Sequence, residues 1–266
     1  MKKQLLKFSG LAAAFVLSAG IVSAYAAEPQ PAAEGPAVTL EDLKGTYAEL
    51  FPEFEKDEYK ETWLTRIQDV TGVDEEAAEM IRTTLISMME ADVYGEEAAA
   101  LAAEDPTYSM FDCYFINGPA QITVEGDEIF GTDKDGNEIF RHTYAYEETV
   151  KADFGAQNEM YAAVLSEEDW PTMDIYTAQD ADDDFKYFAF AGDTPATTYH
   201  IEFRYGGNKE DLPKYFDGSY AYWLAAGIPA DYSEELITDC IHLFVDENAP
   251  QLAAMFTADT GAAAAE

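Results

Sequence analysis

The residues best suited to chemistry stand close together late in the chain, His200 and Glu202, within the run Tyr199-His200-Ile201-Glu202-Phe203-Arg204-Tyr205-Gly206. The run alternates. A strand repeats its side-chain direction every two residues, so Tyr199, Ile201, Phe203 and Tyr205 would face one way and His200, Glu202 and Arg204 the other. A strand over Tyr199 to Tyr205 therefore sets an imidazole and a carboxylate side by side on a polar face. Both are ligands for a transition metal such as zinc. One histidine with one or two carboxylates is a harder donor set than histidines alone. It is expected to hold zinc less tightly and to discriminate less against manganese or calcium. Imidazole, with an unperturbed pKa near ~6.5, would give up such a metal below about pH 6 as it takes up a proton.

Other constellations carry less. His142 alternates with Phe140, Tyr144 and Tyr146 and reads as a half-buried packing or hydrogen-bonding residue. His242 flanks the apolar stripe of the last helix, near an end where a cation suits the helix dipole. The stretch Asp133-Lys134-Asp135-Gly136-Asn137-Glu138 has the composition of half a calcium loop. Its glycine comes too early, and Tyr144 stands where the closing glutamate belongs, so a hairpin turn is expected instead. Asp180, Asp182, Asp183 and Asp184 read as a solvated acidic loop. No Gly-x-Ser-x-Gly elbow, His-Glu-x-x-His helix or phosphate loop occurs in the sequence. With no poised base to name, the chain reads as a binding protein and not an enzyme.

The segment Lys186-Tyr187-Phe188-Ala189-Phe190-Ala191-Gly192-Asp193, followed by His200-Ile201-Glu202-Phe203-Arg204-Tyr205-Gly206, resembles the end of the ZinT family of bacterial lipocalin-like zinc-binding proteins. Tyr220-Ala221-Tyr222-Trp223, Ala230 to Leu236, and Leu43-Lys44-Gly45-Thr46-Tyr47 with Leu50-Phe51-Pro52 are similar to further family segments. The family pattern is an aromatic strand ending Ser-Asp-His, a loop, then His-x-His-x-Arg-Tyr-Gly. Here Gly192-Asp193-Thr194 stands at the first motif and Glu202 at the second histidine of the other. The resemblance implies a lipocalin-like barrel and a divalent metal, zinc above all, as ligand. His200 would be the principal donor, Glu202 the second, and Asp193 or Thr194 would stand near the remaining histidine position. It also implies metal buffering or delivery, with a metal-uptake transporter as partner. In the alternative reading the barrel has lost its metal, and Tyr199, Tyr205, Tyr220, Tyr222 and Trp223 line a pocket for an organic ligand or peptide.

Elements able to position these residues follow from texture and spacing. Residues 1–26 read as a secretory signal, with Lys2, Lys3 and Lys7 before an apolar run and Ala24-Tyr25-Ala26 as the cleavage site. The mature protein is then expected to be secreted or periplasmic, without insertion in a membrane. Residues 27–39 read as a flexible leader, 40–257 as one domain and 258–266 as a low-complexity tail. A net charge of −38 excludes nucleic acid as a partner, since phosphate would be repelled. Cys113 and Cys240 are allowed a disulfide by export, and two buried thiols fit equally well.

Leu40 to Glu61 reads as one or two short helices. A clearer helix starts at Val73, with Asp74 as cap and Ala77, Met80, Ile81, Leu85 and Met88 as its stripe. Short aromatic strands are expected over Phe111 to Ile116, Gln121 to Glu125, Glu128 to Gly131, Glu138 to Tyr146, Glu159 to Leu165, Asp174 to Thr177, Lys186 to Ala191 and Tyr199 to Tyr205. A last helix, Ser233 to Asp246, would bury Leu236, Ile237, Cys240, Ile241 and Phe244. The sum is a mainly β fold, a lipocalin-like (calycin) antiparallel barrel with flanking N-terminal helices and a C-terminal helix.

Overall fold

The computed structural model describes residues 35–105, 108, 110–155 and 170–263. The expected signal, most of the leader, the strand expected over Glu159 to Leu165 and the last three residues lie outside these. Eight antiparallel strands close into a barrel in simple sequence order: β1 (Gly45–Glu49), β2 (Gln121–Glu125), β3 (Glu128–Thr132), β4 (Glu138–Lys151), β5 (Thr172–Ala178), β6 (Tyr187–Phe190), β7 (Ile201–Gly206) and β8 (Ala225–Pro229), with β1 pairing β8. Between β1 and β2 run the helices α1 (Leu50–Phe54), α2 (Lys60–Thr71), α3 (Glu75–Ser87) and α4 (Glu96–Glu104). After β8 comes α5 (Glu234–Ala263).

The barrel and its flanking helices match the fold expected from sequence. The two strands that close it do not appear in that expectation. β1 falls in a region read as helix, where Gly45, Thr46 and Tyr47 instead pair with Val124, Thr123 and Ile122. β8 is Ala-Ala-Gly-Ile-Pro and carries almost no strand signal of its own, yet it pairs both β1 and β7. Phe111 to Ile116 is not a strand. It is buried irregular chain, bridged through Asp112 to Glu90 and Trp223.

Register shows which face is inside. On β2, Gln121 and Glu125 meet water while Ile122 and Val124 are buried. Ile122 stands opposite Tyr47 and Gly131, and Gly131 opposite Phe140. A Cβ on Gly131 would lie 2.4 Å from the Phe140 ring, so only glycine lets that ring cross the strand. Continued around the barrel, the inward set includes Tyr144, Tyr176, Phe188, Phe190, Phe203 and Tyr205. These rings pack on one another, for example Phe188 on Tyr205 at 5.1 Å and Phe190 on Phe203 at 5.8 Å. The interior is therefore filled.

The helices form a second layer. Trp63 of α2 meets Phe54 of α1 and Phe244 of α5 edge to face, at 5.5 and 5.8 Å. The expected caps are present: Asp74 accepts from the Ala77 amide and Ser233 from that of Leu236. The α3 stripe sits one residue later than read at its start, with Ala78, Ile81, Leu85 and Ile86 buried and Met80 exposed. α5 runs on past Asp246 to Ala263 with Pro250 inside it.

Candidate functional site: a buried acid–imidazole cluster

Every residue of β7 is buried on both faces. Ile201, Phe203 and Tyr205 point into the barrel, so His200, Glu202 and Arg204 lie on its outer wall. The imidazole–carboxylate pair is thus outside the barrel, beneath a cover. The cover has two parts. Cys240 of α5 brings its Sγ to 3.7 Å from His200 Nδ1. The chain following β7 folds back so that the carbonyls of Leu212 and Lys214 accept from Arg204 Nη1 at 2.9 and 2.6 Å.

The strand itself begins at Ile201, two residues later than the alternation suggests. Tyr199 has φ 70°, a left-handed conformation rare for an aromatic residue, and this breaks the extended run just ahead of His200. The chain arrives there from a tight turn in which the Thr197 and Thr198 amides donate to the Thr194 carbonyl.

His200 Nε2 stands 3.5 Å from Glu202 Oε1, with both side chains nearly fully buried. On the other edge of the ring, Nδ1 lies 2.7 Å from the Thr198 carbonyl, which can only accept, so Nδ1 carries a proton. This fixes the ring and leaves Nε2 as the nitrogen that faces the carboxylate. Asp193 is fully buried, and neither of its oxygens makes a well-formed hydrogen bond among the described residues, although the Thr198 side chain is close enough to favour its charged form. Glu202 Oε2 is likewise unpartnered. Thr194 is differently engaged: its hydroxyl lies 2.9 Å from that of Thr197.

Burial and crowding of acids set the protonation. Burial pushes Glu202 up to about 8, opposed by the contact with His200 and reinforced by Asp193 and by Glu247 of α5. Burial also raises Asp193, against the pull of His200. For His200 burial works downward, but Cys240, Glu202 and Asp193 outweigh it and hold the imidazole well above its ordinary value. The cluster thus retains protons at neutral pH.

The structure brings His200 and Glu202 together and buries Asp193 within electrostatic reach of both. Among the described residues, no three His, Cys, Asp or Glu side chains are set at the spacing of a metal-binding group. Cys240 and Glu247 are the neighbours that sequence reasoning missed. The apolar stripe of α5 does mark Cys240 as facing inward, but nothing in that stripe says onto which residue.

The remaining candidates fall elsewhere. His142 Nε2 is 2.9 Å from Asp183, far along the chain from the cluster, and Asp133 caps its own hairpin turn through the amides of Asp135 and Asn137. Cys113 and Cys240 are free buried thiols. Of the rings considered for an organic ligand, Tyr205, Tyr220, Tyr222 and Trp223 are buried in packing contacts, with Tyr205 against Trp223 at 5.1 Å. A groove of about 500 Å3, lined by Lys44, Thr46, Pro195, Pro229 and Asp231, opens beside the turn that follows Asp193.

No family model matches the chain. No curated protein matches it either. Among solved structures it is similar to the zinc(II)-bound ZinT-like domain of Streptococcus pneumoniae AdcA, with 14% identity and a TM-score of 0.50 over 83% of this chain and 98% of that domain. Zinc(II)-bound AdcA from the same organism aligns at 15% identity and a TM-score of 0.41, over 85% of this chain and 39% of that one. At such identity the likeness to the ZinT-like domain is one of fold: an eight-stranded antiparallel barrel with a C-terminal helix.

Proposed function

We propose that this is an exported protein that binds a divalent transition metal, zinc foremost, between the outer wall of β7 and α5, and buffers it or hands it to an uptake transporter. One observation carries the reading. Three carboxylate oxygens, both of Asp193 and one of Glu202, are buried without a well-formed hydrogen bond among the described residues, in a cluster where His200 Nε2 faces the other oxygen of Glu202. Unpaired buried carboxylates are costly and call for a cation. Protons meet that need in part, and a divalent ion would meet it fully. Two carboxylates and a neutral imidazole balance the charge of Zn2+ and suit its nitrogen and oxygen preferences.

His200 would bind through Nε2 and Glu202 beside it, with Asp193 turning toward the pair to complete three donors. An open position would remain for exchange. Export rests on the basic and apolar N-terminal residues, and delivery on the resemblance of the motif segments to zinc-uptake proteins. The role is one of binding, with no catalysis assigned.

Calorimetric titration of metal-free protein with zinc tests this directly. Binding tighter than about 10 μM is expected, with His200→Ala abolishing the heat, since a lost ligand or its support costs about 10- to 100-fold or more. Absence of binding in the wild type, or full binding in the variant, would rule the site out.

A further inference from the structure

Arg204 shares the outer face of β7 with the cluster, and its guanidinium is wholly buried. No salt bridge to a carboxylate is found for it among the described residues, which is unusual for a charge removed from water. It is nevertheless firmly held. Nη1 donates to the Leu212 and Lys214 carbonyls, and the guanidinium carbon lies 4.4 Å over the ring of Tyr215. Nε and Nη2 meet no acceptor among the described residues.

Those two nitrogens are not a random remainder. The Nε–H and one Nη2–H lie on the same edge of the guanidinium and point in parallel, at the separation of the two oxygens of a carboxylate. The edge that serves for two-pronged recognition of a planar oxyanion is therefore the edge left unpaired among the described residues. The opposite nitrogen and one face of the plane are fixed by the protein. A binding group held in this way loses little freedom when its ligand arrives.

We propose that Arg204 is the anchor of a buried oxyanion site, which takes a small planar monoanion able to present two oxygens of one carbon side by side: bicarbonate or a short carboxylate. Such an anion would satisfy both free donors and neutralise the buried charge. Tetrahedral dianions fit less well, because one guanidinium supplies one charge and one two-pronged edge. The inference does not depend on metal binding, since it concerns donors that no metal can occupy.

The test uses metal-free full-length protein with labelled arginine, following the Nε–H resonance of Arg204 by nuclear magnetic resonance. Contacts to the Tyr215 ring assign it. Sodium formate, sodium bicarbonate and sodium chloride are titrated separately at matched ionic strength. A saturable shift with formate or bicarbonate, and none with chloride, is expected, and the stronger of the two identifies the source of the ligand. No shift with either, or an equal shift with chloride, overturns the proposal. In parallel, formate should raise the melting temperature of wild type and leave that of Arg204→Gln unchanged. An equal rise in both would also overturn it. Should the variant fail to fold, the resonance titration decides alone.

Discussion

The two faces of β7 are built from adjacent residues by opposite rules. Facing inward, Ile201, Phe203 and Tyr205 fill the barrel, and the one polar atom among them, the Tyr205 hydroxyl, donates to the Ile116 carbonyl at 2.6 Å. Facing outward, His200, Glu202 and Arg204 are buried almost as deeply, but three of their polar atoms lack a partner among the described residues. One face is finished as a core and the other is left chemically incomplete. A strand whose stability is supplied by one side can carry unfavourable groups on the other.

Breaking the finished face should cost most in stability. Phe203→Ala removes a ring that touches Phe115, Phe188, Phe190 and Tyr205. A loss of about 3–5 kcal/mol is expected in urea unfolding, as for a large ring deleted from a packed core. The donors on the other face remain, so the folded fraction should still bind zinc.

Glu202→Gln sharpens the contrast, because it acts in opposite directions on folding and on binding. It removes a buried charge at constant shape, so the metal-free protein should unfold at a higher urea concentration at pH 8, by about 1–2 kcal/mol. Zinc affinity should fall by more than about tenfold. A variant that is both less stable and equally good at binding zinc would show that Glu202 is structural.

The pH dependence follows from the same cluster. Glu202 and Asp193 have folded pKa values above their unfolded ones, so the fold keeps protons that the unfolded chain has released. For a raised carboxyl group, stability is highest below the unfolded pKa and declines as pH climbs toward the folded one, near 8 for Glu202. His200 adds the same sign: its raised pKa stabilises the fold at pH below about 6.5, and that contribution is lost as pH rises through the folded value. The metal-free protein should therefore melt at a progressively lower temperature from pH 5 to pH 9, roughly, and Glu202→Gln should flatten the profile. Zinc must displace those protons, so its affinity should weaken already below about pH 8, higher than an ordinary imidazole would imply.

What the sequence disclosed and what it hid divide along physical lines. Strands with regular alternation, such as Gln121 to Glu125 and Glu138 to Tyr146, announce themselves because one face meets water. The closing strand β8 does not, since it is buried on both sides and built from alanine and glycine. The pairing of His200 with Glu202 was legible from a two-residue period. The location of that pair outside the barrel was not, because β7 is covered on both faces and alternation cannot say which side is inner. Cys240 reaches His200 from forty residues away, a contact fixed by how α5 lies on the wall.

The smallest effect concerns the loop before β7, where Asp193 and Thr194 are adjacent and only one is expected to matter for metal. Asp193 has two buried oxygens without a well-formed hydrogen bond among the described residues, whereas the Thr194 hydroxyl is spent on Thr197 and its carbonyl holds the turn. Thr194→Val keeps the shape and the carbonyl and deletes one hydroxyl contact. It should lower stability by about 0.5–1.5 kcal/mol and leave zinc affinity nearly unchanged. Asp193→Asn keeps the shape as well but halves the carboxylate charge available to the ion, and should weaken zinc by more than about tenfold. Calorimetric titration of the two variants side by side separates a donor from a neighbour that only shapes the turn. The reverse ranking would move the third donor from the carboxylate to the hydroxyl and leave the buried oxygens of Asp193 to be explained by protons alone.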